Sequence, residues 1–139
     1  MVAREDAPLE EVVESMRKEK VGSVVVISRG NAANKVVGIF TERDLLIRVM
    51  NEAITWNEPV RKFATSPATL MKADEPLRKA IYVMRKKNIR HIPIFEQDDS
   101  LLGVLSVRNI IRLLAEHFPA EVMNLPPRLN QKMLTPEGG

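Results

Sequence analysis

Two short segments of the chain pair a hydroxyl side chain with an acid or amide three residues further on. They are Thr41-Glu42-Arg43-Asp44 and Ser106-Val107-Arg108-Asn109, and each follows an apolar stretch. A hydroxyl residue at this spacing from Asp or Asn is typical of a helix N-terminus, where it caps free backbone N–H groups. The same place suits ligand binding, because the N–H groups and the positive end of the helix dipole attract an anion.

The carboxylate of Asp44 adds a second kind of chemistry to the first segment. It can accept hydrogen bonds from a vicinal diol such as a ribose, and a capping hydroxyl can contact the same ligand, so capping and binding are compatible interpretations. Arg43 and Arg108 lie in the first turn of their predicted helices, where a cation opposes the helix dipole. This placement suggests contact with an anion, and the alternative is a salt bridge to Glu42 or to another nearby carboxylate.

Composition excludes several other kinds of site. The chain has no cysteine, which rules out a disulfide scaffold, thiol catalysis and cysteine-bound zinc or iron–sulfur centres. Its two histidines, His91 and His117, are far apart and lack ligand spacing, so a histidine metal site is not expected. We find no Ser/His/Asp arrangement, no paired catalytic carboxylates and no glycine-rich phosphate loop, and an enzyme is therefore the least favoured class. With no apolar run long enough for a membrane span and no signal-peptide pattern, the sequence predicts a cytoplasmic protein without a membrane anchor.

An internal repeat determines where the two segments lie. Asp6-Ala7-Pro8-Leu9 recurs 68 residues later as Asp74-Glu75-Pro76-Leu77, and residues 37–44 recur 65 residues later as residues 102–109. The change in offset falls in the turn-rich stretch 28–34, which indicates a longer hairpin loop in the first copy. The 139 residues therefore comprise two half-length units rather than one.

Both copies predict the same order of elements, which is helix, strand, strand, helix. The first helices begin near Pro8 and Pro76 and carry apolar residues at helical spacing. The predicted strands and second helices are 24–27, 36–40 and 41–50 in the first copy, and 92–95, 101–105 and 106–116 in the second. A unit of about 50 residues cannot bury an adequate core alone, so we expect the two units to pack on each other about a pseudo-twofold axis.

The repeat also sets the predicted domain boundaries. They are 1–50 for the first unit, 51–64 for a linker, 65–118 for the second unit and 119–139 for a partly ordered tail. The second unit opens with the entering segment Thr65-Ser66-Pro67-Ala68-Thr69. Because the repeat aligns Val2 with Leu70, we expect the first unit to lack most of its entering strand.

The tandem repeat, its apolar strands and the pattern of strand, G-x-x-T/S-x-x-D/N and helix resemble a pair of CBS (cystathionine-β-synthase) domains, also called a Bateman module. The resemblance covers about residues 2–118. It implies an α/β (mixed α+β) fold of two βαββα-type units, assembled as a homodimer. It also implies binding of AMP, ADP, ATP or S-adenosylmethionine in clefts between the units, with no cofactor required. Such modules regulate a partner protein and are rarely catalytic, so the implied function is regulation by an adenosyl compound.

The resemblance assigns individual residues to two clefts. In the first cleft, Thr41 and Asp44 would hold the ribose hydroxyls. Gly22, Ser23 and Val24 resemble the adenine-contacting backbone of the family at the start of a strand. The residues assigned to the second cleft are Ser106, Asn109, Arg90, His91 and Ile92, with Thr65 and Ala68 as the wall contributed by the entering segment.

Charge differs between the two clefts. Asn109 replaces the usual Asp of the family and can bond a diol only without a charge. Arg90 and His91 are expected to reach the phosphates of a nucleotide held by Thr41 and Asp44, whereas a nucleotide in the second cleft would find less positive charge across it. The alternative interpretations are an exposed strand-end charge for Arg90 and a half-buried polar residue for His91.

Two other functions compete with a ligand-binding module. A structural dimerisation module with vestigial clefts is favoured by the short first unit and by Asn109. A nucleic-acid binder is motivated by the pI of about 9.4. However, the net charge is only +3, and the basic helix ends lack the interleaved aromatic residues of a single-strand binding surface. Nucleic acid is therefore not the expected partner.

Overall fold

The computed structural model describes residues 1–30, 35–50 and 56–120. The predicted loop residues 31–34, linker residues 51–55 and tail residues 121–139 lie outside this description. Contacts divide the chain into two compact units, which are residues 1–104 and 105–139.

The elements of the first copy are β1 (Val2–Arg4), α1 (Leu9–Glu19), β2 (Ser23–Ile27), β3 (Val36–Thr41) and α2 (Glu42–Asp44), which continues as a π-helical turn over Leu45–Val49. A short 3-10 turn, Val60–Lys62, precedes the second copy. The elements of the second copy are β4 (Met71–Lys72), α3 (Leu77–Lys87), β5 (His91–Phe95), β6 (Leu101–Ser106) and α4 (Val107–His117). The predicted order of elements is confirmed. Each end of the four predicted strands lies within one residue of the end in the structure.

Two three-stranded sheets, in the orders β1-β2-β3 and β4-β5-β6, give the mixed α+β fold that the sequence predicts. The hairpin of β2 and β3 pairs Ser23 with Thr41 at one end and Ile27 with Val36 at the other. The first end leads into α2, and the second end carries the hairpin loop. Chemistry placed at Thr41 is therefore separated from the loop by the length of the strands.

The first helix of each copy buries one apolar face. In α1 the buried residues are Leu9, Val12 and Met16, which recur at spacings of three and four residues. In α3 they are Ala80 and Met84. This spacing places them on one side of a helix, and α1 contacts β2 while α3 contacts β5.

Each copy also has a strand that runs parallel to its central strand. Val2 pairs with Val25 in the first copy, and Met71 pairs with Ile94 in the second. β1 and β4 are therefore equivalent strands of the two copies, and both lie after the position at which the entering segment is expected.

The segment at Thr65 adds to the edge of the first sheet rather than to the second. The N–H of Thr65 donates to the carbonyl of Ile39 at 2.8 Å, and the N–H of Ile39 donates to the carbonyl of Thr65 at 3.0 Å. An edge strand such as β3 leaves backbone groups that need partners, and this segment supplies them. In the repeat, the Thr65 segment belongs to the second copy. In the structure, its backbone hydrogen bonds to β3 join it to the sheet of the first copy.

The second half of the predicted linker is part of the first core. Val60 and Phe63 are 0% and 4% exposed, and both belong to the cluster of buried residues that includes Leu9. Backbone hydrogen bonds hold this stretch against the start of α1. The N–H of Leu9 donates to the carbonyl of Glu58, and the N–H of Val60 donates to the carbonyl of Ala7, both at 2.9 Å. Residues 58–64 are therefore a packed element.

Candidate functional site

The first capping box lies where β3 ends and α2 begins. The backbone N–H of Thr41 donates to Asp44 Oδ2 at 2.9 Å, and the Thr41 hydroxyl donates to the same oxygen at 2.8 Å. In return, the N–H of Asp44 donates to Thr41 Oγ1 at 3.3 Å. The helix cap that the spacing predicts is confirmed, and it fixes the carboxylate at the end of the hairpin.

The other oxygen of Asp44 has partners from outside the cap. The Thr65 hydroxyl donates to Asp44 Oδ1 at 3.2 Å, and Arg48 Nε lies 3.4 Å from the same atom. Asp44 is only 7% exposed, and a carboxylate so buried requires partners because an unpaired buried charge is strongly unfavourable. We call these four residues, Thr41, Asp44, Arg48 and Thr65, the Asp44 cluster.

Thr65 contacts the first site, whereas the sequence analysis assigned it to the second cleft. Its pairing with Ile39 brings it alongside β3, and Gly38 permits the close approach. A Cβ atom at Gly38 would stand 2.8 Å from the carbonyl oxygen of Thr65. Ala68, assigned to the same wall, is half-buried further along the segment. The hydroxyl predicted for the second cleft thus lies beside Asp44 instead.

The starts of β2 and β5 meet beside the beginning of α2. The N–H of Glu42 donates to the carbonyl of Gly22 at 3.1 Å. A Cβ atom at Gly22 would lie 3.3 Å from Glu42 Oε2 and 3.6 Å from His91 Nε2. The absence of a side chain at Gly22 therefore leaves room for both neighbours, and His91 comes near the helix that carries Asp44.

The other predicted residues at the strand starts differ in exposure. Ser23 is 8% exposed, and Val24 and Ile92 are 0% exposed. Arg90 is exposed, and His91 is half-buried. Val24 and Ile92 thus belong to the core and can offer a ligand only their backbone, whereas Arg90 can offer its guanidinium.

Arg43 binds a carbonyl group of the second copy. Its Nη1 donates at 2.7 Å to the carbonyl of Asn88, the residue that ends α3 in a left-handed conformation. The sequence suggested an anion or the carboxylate of Glu42 as its partner. The structure instead uses this side chain to join the start of α2 to the end of α3.

The second capping box repeats the first without a charge. Asn109 Oδ1 accepts hydrogen bonds from the N–H and the hydroxyl of Ser106, at 3.0 and 2.6 Å. The N–H of Asn109 donates to Ser106 Oγ at 3.1 Å. Asn109 and Arg108 are exposed, in contrast to the buried Asp44. The cap is therefore common to both copies, and the further contacts of the Asp44 cluster distinguish the first.

Sequence analysis missed Arg48. This residue lies in the π-helical turn, where the N–H of Met50 donates to a carbonyl five residues earlier. At the offset of 65 residues Arg48 aligns with Leu113, so the repeat itself gives no signal for this residue. A π-turn accommodates one inserted residue within a helix, and such turns are frequent at functional sites.

A separate cavity of about 1070 Å³ opens at the loop end of the hairpins. Residues of both copies line it, among them Ile27, Val36, Phe95 and Leu101. None of the predicted site residues is part of its lining. Sequence reasoning missed this cavity because apolar residues at strand ends have the same pattern as core residues.

The described parts of the chain contain neither a metal-binding cluster nor a membrane-spanning helix. Among residues 1–30, 35–50 and 56–120, no three His, Asp or Glu side chains come together in a way that could hold a metal ion. No helix in the same ranges has the length and apolar character needed to cross a membrane.

Known proteins resemble the chain in both sequence and fold. The family model for the CBS domain matches residues 1–51 and 60–116, one segment for each copy of the repeat. An uncharacterised 17.7 kDa protein of Acidianus ambivalens is 31% identical over 115 residues, covering 83% of this chain and 67% of that protein. An uncharacterised protein of Methanopyrus kandleri is 32% identical over 120 residues, covering 81% of this chain but only 60% of that protein.

One solved structure is informative about ligands. The CBS domain protein of Pyrobaculum aerophilum, complexed with AMP, is 31% identical to this chain and superposes with a TM-score of 0.70. The superposition covers 84% of this chain and 91% of that chain. The fold described above is therefore shared with a protein whose structure contains an adenine nucleotide.

Proposed function

Because the chain belongs to the CBS domain family, we propose that it is a regulatory module that binds AMP, ADP, ATP or S-adenosylmethionine and signals occupancy to a partner protein. The observation that carries the proposal is the Asp44 cluster, in which a buried carboxylate is held beside two hydroxyl groups at the end of a hairpin. The AMP complex of the Pyrobaculum aerophilum relative supports this class of ligand.

In this proposal Asp44 receives the ribose. Hydrogen bonds to a carboxylate are roughly twice as strong as neutral ones, so the site favours a ligand with hydroxyl donors, such as a vicinal diol. Thr41 and Thr65 contact the two oxygens of the same carboxylate and would lie beside the bound sugar. The adenine would pack against the backbone at residues 22–24, as in the family pattern.

Arg90 and His91 are the proposed phosphate contacts. Arg90 is exposed at the start of β5, and His91 reaches the neighbourhood of Gly22 and α2. A guanidinium matches the geometry of a phosphate group well. AMP binding should therefore weaken as salt screens this attraction, whereas adenosine binding should be nearly independent of salt.

Isothermal titration calorimetry with AMP, ATP and S-adenosylmethionine tests the proposal, with Asp44→Asn as the decisive variant. Asparagine forms the same kind of cap at Asn109, so the substitution removes the charge and retains the cap. A hydrogen bond to a charged group contributes about 1.5–3 kcal/mol, and we therefore expect the tightest ligand to bind about 10- to 100-fold more weakly. Glu116→Gln, which neutralises an exposed carboxylate outside both sets of predicted site residues, is the control and should leave that affinity unchanged. If the folded protein binds none of these compounds, the proposal is refuted.

A structural dimerisation module is the second candidate, and exposed apolar side chains favour it. The second helix of the first copy exposes 66% of Leu46 and 68% of Met50, and the end of the second copy exposes 59% of Ile111 and 53% of Phe118. Exposed apolar patches often mark protein contacts, and a homodimer would cover these residues. If dimerisation is the whole function, Asp44→Asn changes stability but alters no ligand affinity.

A further inference from the structure

The proposed ribose acceptor is already fully occupied by groups of the chain itself. An ionised carboxylate offers about four lone-pair positions. Asp44 Oδ2 accepts two hydrogen bonds from Thr41, at 2.8 and 2.9 Å, and Oδ1 faces Thr65 Oγ1 at 3.2 Å and Arg48 Nε at 3.4 Å. A diol that binds Asp44 must therefore displace at least one of these groups.

The two contacts on Oδ1 are the ones that a ligand can displace. Those on Oδ2 belong to the helix cap, and their loss would uncap α2. The Thr65 contact is longer than the roughly 2.7–2.8 Å that is typical of an O–H···O bond, and the Arg48 contact is longer than the roughly 2.9–3.0 Å of an N–H···O bond. A ligand hydroxyl can approach Oδ1 more closely, so the ribose and these side chains compete for one oxygen atom.

Arg48 connects this oxygen to the stretch that leads into the second copy. Its Nη1 donates to the carbonyls of Phe63 at 3.2 Å and Ala64 at 3.0 Å, and its Nη2 donates to Thr65 Oγ1 at 3.3 Å. The π-helical turn Leu45–Val49 carries Arg48 to this place. The guanidinium thus ties the helix that carries Asp44 to three consecutive residues of the following segment.

We propose that Arg48 is an internal competitor for the ribose, so that ligand binding releases the contact between Arg48 and Asp44 and loosens residues 63–65. This inference rests on the proposed function. It names Asp44 Oδ1 as the atom at which a bound ligand would change the contacts of the chain. A ligand shifts an equilibrium only through its different affinities for two states. Competition at one oxygen provides that difference.

Adenosine is the probe that tests this proposal, because it carries the diol but no phosphate that Arg48 could attract. Its affinity is measured by calorimetry for the unmodified chain, for Arg48→Met and for the matched control Arg112→Met. The side chain of Arg48 is 43% exposed, and an ion pair at such a site is weak. Losing the competitor should therefore tighten adenosine binding about 1.5- to fivefold. Arg112→Met should bind like the unmodified chain.

The outcomes separate this inference from the proposed function. Unchanged or weaker adenosine binding by folded Arg48→Met protein refutes the competition. Binding by Arg48→Met alone supports it. If neither protein binds adenosine although the unmodified chain binds AMP, ATP or S-adenosylmethionine, this inference is refuted and the proposed function stands. If the unmodified chain binds none of these compounds, the proposed function is refuted, and this inference with it.

Hydrogen exchange of the unmodified chain gives a second test that needs no variant. Adenosine should speed exchange at the backbone amides of Ala64 and Thr65, whereas 2′,3′-dideoxyadenosine, which lacks the diol, should not. Slower or unchanged exchange at these amides with adenosine bound would contradict the release of Arg48.

Discussion

Gly38 and Gly103 occupy equivalent positions in the two copies, yet a methyl group should have opposite effects at them. A Cβ atom at Gly38 would stand 2.8 Å from the carbonyl oxygen of Thr65 and 3.5 Å from Ala64 Cβ. A Cβ atom at Gly103 would meet nothing within 4 Å. The Thr65 oxygen accepts the N–H of Ile39 at 3.0 Å, so it cannot retreat without weakening that hydrogen bond. We therefore predict that Gly38→Ala destabilises the protein and that Gly103→Ala does not.

The magnitude of this effect follows from three contributions. Overpacking a close contact costs about 1–3 kcal/mol, and weakening one backbone hydrogen bond costs about 0.5–1.5 kcal/mol. Replacing glycine by alanine also restricts the unfolded chain, which returns about 0.4–1 kcal/mol. Gly38→Ala should thus lower the free energy of unfolding by about 2 kcal/mol. Gly103→Ala should leave it unchanged or raise it by up to about 1 kcal/mol.

Urea unfolding followed by far-ultraviolet circular dichroism measures this difference. We expect a lower midpoint for Gly38→Ala, with a slope like that of the unmodified chain, because the surface exposed on unfolding is the same. Gly103→Ala serves as the matched control. Equal stabilities of the two variants would refute the placement of Thr65 against β3.

Two further predictions concern the core and the response to acid. Val60 is 0% exposed, so Val60→Ala should leave a cavity and lower the free energy of unfolding by about 2 kcal/mol. Thermal unfolding checks this, with Arg61→Ala as the control. Equal midpoints of the two variants would contradict it. Hydrogen bonds from the Lys79 ammonium and the Lys72 N–H lower the pKa of Glu75 from its ordinary value of 4.5 in the folded protein. Ionised Glu75 therefore stabilises the fold above pH 4.5. This stabilisation is lost as the pH falls through the lower pKa of the folded state. Urea midpoints measured below pH 4.5 should fall less steeply for Glu75→Gln than for the unmodified chain, and identical profiles would show that Glu75 has no such role.

Periodicity and the repeat predicted the regular elements because burial itself imposes those patterns. Leu9, Val12 and Met16 must share one helix face if α1 covers a sheet, and the sequence shows that spacing directly. No such rule indicates which sheet edge an irregular segment joins. Thr65 follows the linker and precedes the second helical repeat, yet its hydrogen bonds are made with Ile39, far away in sequence. That choice depends on three-dimensional packing, which the spacing does not contain.

The candidate site could be predicted only in its local part. All groups of the first capping box lie within one helical turn, so the spacing of Thr41 and Asp44 suffices to predict it. Arg48 reaches the site through a π-turn, which patterns for regular helices do not include. Val60 was assigned to a linker because turn-forming residues such as Asn57 and Pro59 precede it. The repeat aligns Arg48 with Leu113, so a comparison of the two copies does not indicate Arg48 either.

The differences between the copies are the reason for proposing ligand binding at the first capping box rather than at the second. Asp44 carries a charge and has partners beyond its cap, whereas Asn109 is neutral and exposed. Gly38 is covered by the Thr65 segment, whereas a Cβ at Gly103 would meet open space. A cap alone needs neither a charge nor a covering segment, as the second copy demonstrates. The buried charge at Asp44 is paired with Arg48 and Thr65, which join α2 to the Thr65 segment, and recognition of a diol is the further role that we propose for it.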